Sequence, residues 1–254
     1  MKTTNRRSTT IRPILLVLLL VVAASFASIA AAQEKAGEPP QPKMAPIEQY
    51  LIADRDAEIA LARSAAPPSI AKDAAVLVLT RKGYETAVEG KNGFVCIVNR
   101  GWQAPFDDPE FGNPKVRAPE CFNPQAARSV LSMQHKRTEL ALSGASKDEM
   151  KAKFMAAVEQ KQFPPPETGA MSYMMSKQQY LADRFGHWHP HVMFYLPGGA
   201  IKTADWGANL PDSPVIGSPE RNADGSHAPV LVFIVPVSHW SDATPAPAMQ
   251  KHDH

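Results

Sequence analysis

Three short apolar runs set off by turns between Ala75 and Val98 constrain the fold more than any other stretch of the chain. Ala75-Val76-Leu77-Val78-Leu79-Thr80 leads to a Lys82-Gly83 turn, and Tyr84, Thr86 and Val88 then alternate with Glu85, Ala87 and Glu89. After Asn92-Gly93 comes Phe94-Val95-Cys96-Ile97-Val98. The runs are too short for stable helices and rich in β-branched residues, which suits strands. Turn chemistry this tight predicts a β-meander of three antiparallel strands, the middle one wet on one face.

The rest of the chain adds helices in a block and then further strands. Ile47, Tyr50, Leu51, Ala57 and Leu61 predict an N-terminal helix, with Asp54 and Glu58 interrupting its stripe. Asn123-Pro124 reads as an N-cap followed by proline at the first helical position, opening a segment that runs to Leu142 before Gly144. Ser146 and Glu149 form a capping box for a helix that must stop before Pro164-Pro165-Pro166. Further strands are expected at Met171 to Met175, Val192 to Leu196 and Val230 to Val237, the last apolar on both faces and so expected in the middle of the sheet. Without strand–helix alternation, the expected class is α+β: a single domain with a mainly antiparallel sheet and about three helices.

The first 32 residues read as an address. Lys2, Arg6, Arg7 and Arg12 precede the apolar run Ile14 to Val22, and Ala30-Ala31-Ala32 offers a small-residue cleavage site before Gln33. That layout is a secretory signal peptide, so the chain is expected to be secreted or periplasmic. The membrane would be touched only through the leader, if it is not cleaved. The chain holds 27 basic and 25 acidic residues, and four of the basic ones lie in the leader. The remaining 23 nearly balance the acids, and no basic patch interleaved with aromatics occurs, which argues against nucleic-acid binding. Residues 33–46, with Pro39, Pro40, Pro42 and Pro46, read as a Pro-rich tether, 47–240 as the domain and 241–254 as a flexible tail.

Cys96 and Cys121 are the only cysteines. An even pair in an exported chain predicts a disulfide, and the intervening segment, with Pro105, Pro109, Pro114 and Pro119, is one a cross-link would hold. No C-x-x-C spacing favours a redox role.

The segment with chemical potential is His187-Trp188-His189-Pro190-His191. If extended, it places His187, His189 and His191 on one face continuing into Met193 and Tyr195, with Val192, Phe194 and Leu196 toward the core. Imidazoles suit Zn or Cu, and Met193, Met174 or Met175 would favour Cu(I). Alpha-carbons of His187 and His191 would lie roughly 13 Å apart on an ideal strand, so a full site needs a bend at Pro190 or a ligand such as His135, His227 or His239. The alternative is a set of partly exposed histidines on an edge strand, where proline is tolerated. His252-Asp253-His254 could bind metal as tail chemistry.

Nucleophile motifs are poor. No G-x-S-x-G occurs; Ser69-Ile70-Ala71-Lys72 matches S-x-x-K but lacks its S-D-N companion, and no phosphate loop or dinucleotide fingerprint is present. Glu120 and His135 form an acid–base pair only by availability. Gly198-Gly199 reads as a turn after a strand. Residues 205–225 form a long polar connection in which Trp206, with Trp188 and Trp240, either lines a ligand groove or serves as a packed cover.

Gly90 to Val98, Pro119-Glu120-Cys121-Phe122 and His189-Pro190-His191-Val192-Met193-Phe194-Tyr195 resemble segments of a loosely defined family of uncharacterised exported bacterial proteins, over about Ala75 to Pro197. The resemblance carries no activity. The expected function is therefore an exported, non-catalytic binding or envelope-associated domain for an unknown ligand or envelope component. A metal-binding protein or metal-dependent enzyme built on His187, His189 and His191 is the alternative.

Overall fold

Strands β1 (Ala75–Thr80), β2 (Gly83–Val88), β3 (Val95–Asn99), β4 (Ala118–Phe122), β5 (Met171–Met174), β6 (His191–Pro197), β7 (Ile216–Gly217) and β8 (Val230–Pro236) form one open sheet. Their order is β2-β1-β3-β4-β5-β6-β8-β7. The computed structural model describes residues 44–184, 186–199, 201–222 and 225–247. The leader, the tether up to residue 43 and the His252 to His254 end lie outside them. Among the described residues five helices accompany the sheet: α1 (Arg55–Arg63), α2 (Pro68–Ala71), α3 (Pro124–Ser129), α4 (Leu131–Leu142) and α5 (Lys147–Glu159). The class is α+β with a mainly antiparallel sheet.

The first three strands pair differently from a simple meander. β1 and β2 form the expected hairpin, from Thr80 opposite Gly83 to Val76 opposite Val88. β3, however, joins the other edge of β1 and runs parallel to it, with Ala75 opposite Val95 and Val76 opposite Cys96. The reason lies in wetness: β2 exposes Glu85 and Thr86, whereas β3 is almost wholly buried. A strand apolar on both faces belongs inside the sheet, and a wet one at its edge. The run of antiparallel neighbours is β3-β4-β5-β6-β8-β7, with α3, α4 and α5 inserted between β4 and β5 in sequence.

The two faces of the sheet have different covers. Cys96, Val98 and Cys121 pack with Val76 and Val78 against Ala62 of α1, Ala71 of α2, and Ala65 and Ala66 of the link between them. Ile97 and Phe122 pack on the other face against Ala126, Val130 and Leu131 from α3 and α4. Those two helices are nearly one segment, since Val130 between them keeps helical dihedrals. The capping box Ser146–Glu149 opens α5 as expected.

The N-terminal helix starts later than its stripe suggested. Ile47–Gln49 is one 3-10 turn, and Asp54 accepts the amides of Asp56 at 2.9 Å and Ala57 at 3.1 Å, capping α1. Asp54 interrupts the stripe because it caps the start of α1, well after the 3-10 turn has ended. β8 also differs from expectation: it is second from the edge, beside the two-residue β7. Its second apolar face is covered by the 201–217 connection. There Leu231 and Phe233 are buried with Ala208, Ile201 and Val215, and Trp206 stacks on Phe233 with ring centroids 4.6 Å apart. Trp206 thus covers Phe233 with one ring face, while 41% of the residue stays exposed. Gly198 permits the chain entering β8 to pass close to the end of β6, since a Cβ there would lie 1.6 Å from the Ala228 carbonyl oxygen.

Cys96 and Cys121 are bonded and sit directly opposite each other on β3 and β4, alpha-carbons 4.0 Å apart. That separation is shorter than the roughly 4.5 Å of the close type of antiparallel opposition and far from the roughly 5.5 Å of the wide type. The bond therefore staples two central strands as well as closing the intervening loop.

Candidate functional site

Four groups of polar side chains deserve comparison, two inside the fold and two near its surface. Glu58 of α1 lies on the sheet-facing side because a helix packed over β1 and β3 turns that position inward. Its carboxylate accepts the Leu79 amide at 3.0 Å and Arg100 Nη2 at 2.8 Å. Arg100 also donates through Nε to the Tyr50 carbonyl at 2.7 Å and through Nη1 to the Val98 carbonyl. Both side chains are 1% exposed or less. This pair ties α1, β1, the end of β3 and the N-terminal segment together, with every guanidinium nitrogen engaged.

Glu120 of β4 lies on the other sheet face. Its carboxylate accepts from Asn99 Nδ2 at 2.5 Å, from Ser172 Oγ at 2.7 Å and from the Tyr195 hydroxyl. Burial raises its pKa despite those three donors, and burial followed by the charge of Glu120 raises that of the Tyr195 phenol. Asn99 Oδ1 has no partner here. His135 is elsewhere, edge-on to Tyr84 at 5.8 Å, so the two residues do not form an acid–base pair. Glu120 is sealed among the sheet's own side chains.

The histidine segment does not present one face. β6 begins at His191, so His187 and His189 precede the strand and the period of two does not reach them. His187 is exposed with its ring against Trp240, centroids 5.8 Å apart. His191 is buried, its Nδ1 is 2.7 Å from the His189 carbonyl oxygen, and its ring meets Trp188 at 4.9 Å. Burial brings its pKa down to about 4. The pKa of His189 is lowered by burial first and then by the charge of His187. The expected polar side of the strand is a buried face: Tyr195 packs with Phe122, and Met193 with Met174. Among the described residues no group of three or more His, Cys, Asp or Glu side chains is gathered to hold a metal ion. His227 is exposed, and His239 shares a 2.8 Å contact with Ser238.

The remaining group surrounds a shallow hollow of 410 Å³ lined by residues of α1, α2 and the 241–242 segment. Its frame follows from the sequence around Pro67-Pro68, which stops α1 and restarts the chain as α2 with Pro68 at the first helical position. Backbone bonds then fix it: the Met175 amide donates to the Ala65 carbonyl and the Ser241 amide to the Met175 carbonyl, both at 2.9 Å. Ser64 Oγ is 2.6 Å from Ser176 Oγ and donates to the Leu61 carbonyl at 2.6 Å. Ala66, Ala71 and Pro68 supply apolar surface, and Arg63 and Lys72 supply positive charge.

The charges around the hollow are unequally engaged. Asp242 is held by Lys177 Nζ at 2.9 Å and by the Thr244 amide and hydroxyl at 3.0 and 2.6 Å. The Thr244 hydroxyl and Lys177 together pull its pKa down to about 2. Lys72 meets Asp73 only at 3.9 Å, with the Lys72 side chain largely in solvent, and no hydrogen bond joins it to Ser69 among the described residues. The Arg63 side chain makes no hydrogen bond or ion pair among the described residues, and its Nε is buried without an acceptor. A sequence gives no warning of this, because an arginine in the last turn of a helix reads simply as a cation at the negative end of the dipole.

No family model, curated protein or solved structure matches the chain.

Proposed function

We propose that the protein is an exported, non-catalytic binding domain whose ligand sits in the hollow between α1, α2 and the 241–242 segment. The observation that supports this best is the contrast in polar partners. Glu58, Arg100 and Glu120 are consumed by the fold, while Arg63 borders a pinned apolar hollow with its donors unused. A hollow of that volume lies within the usual range for small-molecule sites, which are concave and apolar with a few polar anchors. The leader pattern, together with a formed Cys96–Cys121 bond, supports export to an oxidising compartment. No described helix is long and apolar enough to cross a membrane.

The test is a ligand screen read by amide chemical-shift changes on the isotope-labelled protein. Binding should move the amides of Ser64, Ala66, Ala71 and Ser241 and leave those of β2 unmoved. A screen of acids, amines and neutral compounds that never moves the hollow amides would overturn the reading.

A further inference from the structure

The chemistry of the hollow selects its ligand more narrowly than shape alone. Arg63 brings a planar fork of donors that matches a carboxylate in two parallel bonds, and nothing among the described residues competes for it. Lys72 adds a second cation on the same rim. Asp242 also lines the hollow, and its negative charge, although held by Lys177 and Thr244, disfavours a multiply charged anion. Ala66, Ala71 and Pro68 ask for an apolar body, since a wholly polar ligand would leave their surface wet.

We propose that the hollow binds a monocarboxylate carried on a compact apolar body, with Arg63 as the anchor for the carboxylate. This rests on the hollow being the binding site. Arg63 is placed for the task by its position: it is the last residue of α1, its stem lies half-buried beside Ser64, and its head is not committed to the fold. Nε itself is buried, so a carboxylate in the hollow is met by the outer Nη groups, which no hydrogen bond or ion pair among the described residues uses. Lys72, largely in solvent, contributes by charge alone.

Calorimetric titration of the full-length protein with octanoate, 1-octanol, octylamine and inorganic phosphate tests the assignment. Octanoate is expected to bind at one site, with octanol at least ten-fold weaker and no binding of octylamine or phosphate. Arg63→Gln should weaken octanoate about 10- to 100-fold, as expected for loss of a charge-assisted contact, while leaving octanol unchanged. Arg63→Lys should fall between the two. An unchanged thermal midpoint in both variants separates lost contact from lost fold. Equal affinity for octanoate and octanol, or an Arg63→Gln variant that binds octanoate as well as the parent, would overturn the carboxylate assignment. If neutral compounds alone move the Ala66 and Ala71 amides, the assignment falls and the hollow stands. If no compound moves them, both fall.

Discussion

Glu58 and Arg63 belong to the same short helix, yet the fold treats their charges in opposite ways. Glu58 points into the sheet, where its Oε1 meets a buried guanidinium and a backbone amide, so its charge is paired within the fold. Arg63, at the end of the helix, faces a hollow in which no described group accepts from it. The difference teaches how to divide polar residues here into those that hold the structure and those left for something else. Removing a partner from the first kind leaves an uncompensated buried charge. Removing the second kind takes away a group the fold does not use.

The largest effect should come from the buried pair. Arg100→Met strands Glu58 and frees the Tyr50 and Val98 carbonyls, and should cost about 3–5 kcal/mol in urea unfolding. The Glu58→Gln/Arg100→Met double variant should recover part of that loss, because no lone charge remains. A single variant that costs no more than the double would remove Glu58–Arg100 from the structural side of the comparison.

The disulfide comes next. The bond spans 25 residues of sequence. Replacing both cysteines by alanine should cost about 3.5 kcal/mol on the chain-entropy estimate. Because Cys96 and Cys121 lie opposite each other on paired strands, the β3–β4 ladder should survive in the reduced protein. Hydrogen exchange on Ile97 and Glu120 checks this; loss of protection there at unchanged global stability would contradict it.

Acid should separate two buried groups by sign. His191 has a folded pKa of about 4 against the usual 6.5, so the unfolded chain takes up a proton first as pH falls. Its stabilising contribution is present above about pH 6.5 and is lost on the way to about pH 4, a change of about 3 kcal/mol. Glu120 works the other way. Its raised folded pKa makes its contribution full below the ordinary carboxylate range and lost as pH rises through the raised value. Urea midpoints against pH for His191→Phe and Glu120→Gln should flatten the acid limb and the rising limb respectively. The same curve for His191→Phe and the parent would mean that the imidazole is not buried.

Much of the architecture was legible because local rules agreed with the tertiary outcome. The β1–β2 hairpin, the Asn123 cap, the Ser146–Glu149 box and the cysteine pair each follow from a few neighbouring residues. The parallel placement of β3 was not, because strand order depends on which faces the helices cover, and α1, α3 and α4 come from both sides of it in sequence. The histidine face failed for a related reason: a period of two holds only within a strand, and β6 starts at the last of the three histidines. Charges on an apolar stripe carried more information than they first offered, since Asp54 marked a cap and Glu58 a buried pair. The hollow had no local signature. It is assembled from α1, α2, a turn at Met175 and the chain near Ser241, which only the fold brings together.

The smallest effect should be that of Arg63 on stability, and it tests the comparison most directly. As the last residue of α1, its cation gains about 0.3–1 kcal/mol from the helix dipole. Against this, a buried donor without an acceptor costs about 1–3 kcal/mol, and Nε is such a donor. Arg63→Met keeps the apolar stem while removing both contributions. Urea unfolding should therefore show a change between zero and a gain of about 2.7 kcal/mol. The same variant should lose octanoate affinity as Arg63→Gln does, a pairing of unharmed fold and impaired binding that neither Glu58 nor Arg100 can give. Should Arg63→Met instead lose more than about 2 kcal/mol, its side chain holds α1 in place, and its unpaired donors could no longer be read as reserved for a ligand.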